Sequence, residues 1–156
     1  MKRYKILSII CLIFVTVFCL SACGETEKED TRARYEVLSG SMTPAINIGD
    51  YVIIEPKETY IVGDIVKFDD NEISLVHRIV AIFEEEGVVY YICHGDAVQN
   101  VDGTDSDSAW QDDADYLEGL IFEGKTSDEI KDICGGVIQI IVQSQIEGVV
   151  ADIISI

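Results

Sequence analysis

At 156 residues and 48% hydrophobic, the chain has room for one compact domain with its own core plus a terminal segment; two prolines and twelve glycines exclude a long low-complexity chain. Lys2, Arg3 and Lys5 open the sequence, and all 29 acids follow the first apolar run. The remainder sets eight basic residues against 29 acidic ones, a formal −21, and such a surface repels phosphates and excludes nucleic acid as a partner.

Residues 1–23 read as a secretory signal or membrane anchor: a basic start, the apolar run 6–18, then small residues. The stretch 6–22 is at the lower limit of a membrane-spanning helix. The sequence Leu20-Ser21-Ala22-Cys23 resembles a bacterial lipobox, in which the chain is cut before the cysteine and the thiol carries lipid. An uncleaved anchor is the alternative. Both place the body outside the cytoplasm, because basic residues precede the apolar run and none follows it closely. Residues 24–34 then form a polar tether.

From residue 35 the texture predicts mainly β structure. Segments 35–38, 51–54, 64–68, 74–83 and 88–93 are rich in Val, Ile, Tyr and Phe and are separated by Gly49-Asp50, Gly63-Asp64 and Asp69-Asp70-Asn71. Residues 101–118, crowded with aspartate, read as an acidic loop; Asp107 stands where a calcium-binding EF-hand needs glycine. Residues 127–134 predict a short helix, capped by Thr126 or Ser127 and stopped by Gly135-Gly136. Residues 137–156 suit an amphipathic helix or strands equally, and Gln139, Gln143, Gln145, Glu147 and Asp152 argue against a second membrane span. Cys93 and Cys134 fit no metal motif and are either one disulfide or two thiols. No motif asks for a cofactor or a metal.

The chain has two histidines, so the search for a general base is short. His77 lies in the run 74–83, and His94 ends the next run, before Gly95-Asp96. If residues 84–87 form the turn and Phe83 faces Val88, His77 faces His94 and Leu75 faces Asp96. Asp96 is then a diagonal neighbour of His77, within reach to accept its imidazole N–H. A nucleophile must come from elsewhere, since a serine hydroxyl is inert until a positioned base takes its proton. Ser39-Gly40-Ser41-Met42-Thr43-Pro44 follows a strand and has a glycine for a sharp turn. It presents Ser41 with its backbone N–H turned toward an oxyanion.

These blocks together resemble the type I signal peptidases: 37–46 around Ser41, Gly49-Asp50, Val62-Gly63-Asp64, Val76-His77-Arg78 and Gly95-Asp96. The His-Arg block is similar to the Ser-His branch, found in endoplasmic reticulum enzymes and some Gram-positive bacteria. The resemblance covers roughly residues 35–102. It implies an antiparallel β fold over 35–156 whose active face sits at the membrane. It also implies Ser41 as the acylated serine, His77 as base and Asp96 as the accompanying acid, with Asp102 a further acid. Ser39 and the Ser41 N–H serve the oxyanion. The implied substrates are pre-proteins with small residues before the cut, and the implied surroundings are membrane lipid. Thr43, Ala97-Val98 and the long acidic stretch depart from the family pattern. Two other readings are a catalytically inactive surface lipoprotein that binds a protein partner on the same scaffold, and a self-cleaving regulator. The exported N-terminus opposes the latter.

Overall fold

A computed structural model describes residues 32–98, 100–102 and 110–156. Its elements are β1 (Arg34–Glu36), β2 (Tyr51–Glu55), β3 (Ile65–Asp70), β4 (Ile73–Glu85), β5 (Val88–His94), α1 (Trp110–Phe122), α2 (Ser127–Cys134), β6 (Ile138–Val142), a 3-10 turn (Gln143–Gln145) and β7 (Ile146–Ile154). The strands form one antiparallel sheet in the order β1-β2-β7-β3-β4-β5-β6. The expected mainly antiparallel β architecture is present. The signal or anchor at 1–23, with Cys23, and residues 24–31 of the tether expected at 24–34 lie outside the described residues, while Arg34 already begins β1. Among those described, no helix is long and apolar enough to cross a membrane.

Two tight hairpins set the register. Asn71 and Glu72 both have positive φ, as do Glu86 and Gly87, the backbone of a two-residue turn whose twist matches the strands it joins. The second turn corrects the pairing expected from the sequence. It uses two residues rather than four, so Glu85 faces Val88 and Phe83 faces Tyr90. A bulge at Val80 then shifts the ladder by one residue, and His94 faces Arg78 instead of His77.

The segment 101–118, expected as a loop, is a helix from residue 110 onward. Trp110, Leu117, Leu120 and Ile121 pack on the core at helical spacing, and Asp113 is buried among them. Burial of that stripe outweighs the weak helix propensity of its aspartates. The helix at 127–134 is where the sequence placed it. Thr126 Oγ1 accepts the Glu129 N–H, Glu129 Oε2 accepts the Thr126 N–H, and Gly135 closes the end at φ 64°. Residues 138–142 and 146–154 are strands, which settles the two-way reading of the last segment.

Three apolar clusters result. One lies between the sheet and both helices and includes Val80, Ile92, Leu117 and Ile130. A second gathers Val66, Phe68, Ile79, Tyr91 and Ile141. The third, Met42, Ile46 and Val52, underlies the Ser41 segment. Cys93 and Cys134 are buried free thiols; burial pushes the Cys134 thiol up to about 11 and Cys93 further in the same direction, so neither is a ready nucleophile at neutral pH.

Candidate active site

The Ser41 segment is held from below and behind. Met42 and Ile46 are almost fully buried and are tied by Ile46 N–H donating to the Met42 carbonyl at 2.9 Å, one helical turn that nails the segment to its cluster. Val37 donates to the Asp50 carbonyl and Gly49 to the Val37 carbonyl, each at 2.9 Å. Those bonds fix where β1 ends and the serine turn starts. Behind Ser41, Ala97 N–H donates to the Ser41 carbonyl at 2.8 Å. The serine is therefore positioned by its own backbone.

His77 stands in the middle of β4, with Val66 opposite it on β3. Its Nε2 lies 3.1 Å from Ser41 Oγ, within the reach a base needs to take a hydroxyl proton. The two groups that the sequence argument needed together are together. Ser39 Oγ lies 3.4 Å from Ser41 Oγ.

The other face of the imidazole differs from expectation. Nδ1 donates to the side-chain oxygen of Gln139 on β6 at 2.7 Å. Asp96 does not take that place. Its carboxylate accepts two bonds from Arg78, Nε to Oδ1 at 2.9 Å and Nη2 to Oδ2 at 2.6 Å, and both partners are largely buried. The geometric reason is the shortened hairpin turn with its bulge, which removed the diagonal relation between His77 and Asp96. The Arg78 Nη1 also donates to the Gly63 carbonyl at 3.0 Å, and the guanidinium lies 5.1 Å from the Trp110 ring centroid. Asp96 thus locks the turn after β5 onto β4, and that turn carries Gly95 and Ala97. Asp102 is exposed and is not among the groups that meet the His77 ring.

His77 is 6% exposed, and burial pushes its pKa below the ordinary imidazole value; the Gln139 bond and, more weakly, Asp96 oppose that shift, while nearby His94 adds to it. The ring is accordingly held neutral to lower pH than a free histidine, as a base must be.

The sequence reading missed two site residues. Gln139 was counted only as a polar interruption in an apolar run; no spacing rule connects it to His77, which it meets across two strand pairings. The other is Gly95. A Cβ there would lie 2.7 Å from the Ser41 carbonyl oxygen and 3.1 Å from His77 Nε2. Gly40, expected to permit the turn, has no positive φ, and a Cβ there meets nothing closer than 3.6 Å. The glycine that the site requires is thus the one across the gap, where two backbones and an imidazole converge.

A groove of about 410 Å³ opens beside Ser41. Residues 35–39 and 73–76 line it together with Met42, Ile46, Val52 and Lys67. Leu38 and Ile73 in that lining are 80% and 62% exposed, and Ile48, beside Gly40, is 68% exposed. Exposed apolar side chains thus stand beside the site, interspersed with Glu36, Ser39 and Ser74, on a chain that is otherwise strongly acidic. Among the described residues no cluster of side chains is arranged to hold a metal. No family model and no curated protein matches the chain.

Proposed function

We propose that the chain is a membrane-tethered serine endopeptidase of the signal peptidase I type, cutting signal peptides from exported pre-proteins. The observation that carries the reading is the 3.1 Å approach of Ser41 Oγ to His77 Nε2, with the ring's other nitrogen already held. His77 takes the Ser41 proton as Oγ adds to the scissile carbonyl, and the resulting oxyanion meets Ser39 Oγ and the Ser41 N–H. Collapse breaks the C–N bond, and His77 returns the proton to the departing amine. Water then gives its proton to His77, attacks the acyl ester and releases Ser41 with its hydrogen restored.

The groove supports an extended peptide as substrate, running between residues 35–39 and 73–76 toward the serine. Small side chains near the cut are what the family resemblance implies for that substrate. Leu38, Ile48 and Ile73 give the rim an affinity for the bilayer surface, where a signal peptide presents its cleavage site. A lipid on Cys23, or an uncleaved span at 1–23, holds the body at the extracytoplasmic face of the cell membrane and raises its effective concentration over membrane-bound substrate.

Ser41→Ala and His77→Ala test the reading with a secretory precursor reconstituted in vesicles. Both variants are expected to fold and to lose cleavage by roughly 1,000-fold or more. Full cleavage by either variant overturns the assignment. A wild-type protein that neither cleaves nor forms an acyl-enzyme, and whose biological role survives Ser41→Ala, identifies instead an inactive surface lipoprotein that binds a partner.

A further inference from the structure

The third position of the site is occupied by an amide. Gln139 Oε1 is the hydrogen-bond partner of His77 Nδ1, while the carboxylate of Asp96 is engaged by Nε and Nη2 of Arg78. We propose that Gln139 is the positioning residue of the Ser41–His77 pair, fixing the imidazole's tautomer and direction without contributing charge, and that Asp96 is a scaffold residue. This rests on the peptidase reading for its catalytic meaning, but the claim about the ring stands on the geometry alone.

An amide oxygen accepts hydrogen bonds and cannot donate one. With Oε1 at Nδ1, the ring proton is on Nδ1 and the lone pair is on Nε2, facing Ser41. The alternative tautomer carries its proton on Nε2 and points an N–H at the serine, where no base is left. The strand ladder holds the amide in place: Gln139 pairs with Cys93, Ile138 with His94 and Ile140 with Ile92. An amide differs from a carboxylate in one further respect. It orients the neutral ring but gives the imidazolium no opposing charge.

The surroundings leave few other influences on the ring. Around it, Phe68 on β3 and Ser41 and Gln139 are uncharged, and Phe68 meets the imidazole edge-on at 6.2 Å between centroids. The titratable or charged groups facing it are His94 from β5, Asp96 from the following turn, and Arg78 on β4 itself, already paired with Asp96. Replacing the amide by a carboxylate therefore adds a full negative charge directly at Nδ1, where the ring now meets a neutral group.

The experiment uses nitrogen-detected NMR titration of both histidines in the intact protein, beside pH profiles of kcat/KM on a precursor. With only two histidines in the chain, His77→Gln assigns the signals. In the wild type, His77 should show a protonated Nδ1 and an unprotonated Nε2. Gln139→Glu should raise the His77 pKa by about one unit or more and carry the acid limb of the profile upward with it. Gln139→Leu should lose the tautomer preference and lower kcat by roughly tenfold or more with little change in KM. Asp96→Asn should leave the tautomer in place. A wild-type ring protonated on Nε2 overturns the proposal, as does a Gln139→Leu variant with unchanged tautomer and pH profile, or an Asp96→Asn variant that moves the ring more than the Gln139 variants do. If the NMR result holds while even the wild type fails to cleave, the positioning role stands and the peptidase reading falls.

Discussion

The two histidines of this chain stand one strand apart and are handled in opposite ways. His94 has its Nδ1 3.2 Å from the carboxylate of Asp113, and α1 seals both from water. Asp113 spends its other oxygen on the Val101 N–H at 3.0 Å. His77 has an amide at Nδ1 and a hydroxyl at Nε2. The histidine-carboxylate pair, which by composition is the more suggestive, pins a helix to a sheet. The histidine held by a neutral group faces the serine. A carboxylate beside an imidazole therefore does not by itself mark the histidine that meets the serine.

The contrast breaks most readily at Gly95. Gly95→Ala forces a methyl group into the space between the Ser41 carbonyl and His77 Nε2, where backbone cannot yield cheaply. Cleavage should fall by roughly 100-fold or more while circular dichroism still reports the sheet. Unchanged activity would mean that the serine turn is looser than its packing indicates. Asp113→Ala should do the converse. Removing the acceptor for a buried N–H and an imidazole should cost about 3 kcal/mol in urea unfolding, with the folded fraction retaining its kcat. Loss of kcat without loss of stability would reverse the roles given to the two histidines.

The smallest expected effect is on acid stability. The folded pKa of His77 is depressed, mainly by burial, so below the ordinary value of about 6.5 the unfolded chain binds the proton more readily. The favourable contribution of the neutral ring is complete above that value. It declines as pH falls from there toward the folded pKa and levels off below it. Urea midpoints between pH 7.5 and 5, compared for wild type and His77→Gln, should show the extra slope in the wild type alone. Equal slopes would remove burial as the reason that the ring stays neutral.

The five strands before residue 95 were legible because alternation of Val, Ile and aromatic residues is local. Their pairing was less so. The difference between a four-residue and a two-residue turn rests on Glu86 accepting a positive φ, which a non-glycine residue seldom does. That one turn, with the bulge at Val80, moved Asp96 off the histidine. The meeting of Ser41 and His77 was readable from motif order, since each lies in a distinctive short block. Gln139 was not, because it is 62 residues from His77 and its amide carries no pattern. The helix at 110–122 was hidden by its acids: Asp113 reads as solvent-facing until His94 is placed beneath it.

The strand order carries a consequence for synthesis. β7, the last described strand in chain order, lies between β2 and β3 and pairs with both. Ser41 belongs to the portion before that gap and His77 to the portion after it. Gly148 sits where β7 crosses, so close to β2 that a Cβ would come within 2.5 Å of the Glu55 carbonyl oxygen. A chain synthesised only as far as residue 140 contains Ser41 and His77 but not the strand that joins their two parts of the sheet. On the proposed reading, a protein truncated before residue 146 should therefore fail to cleave a precursor that the full chain cuts.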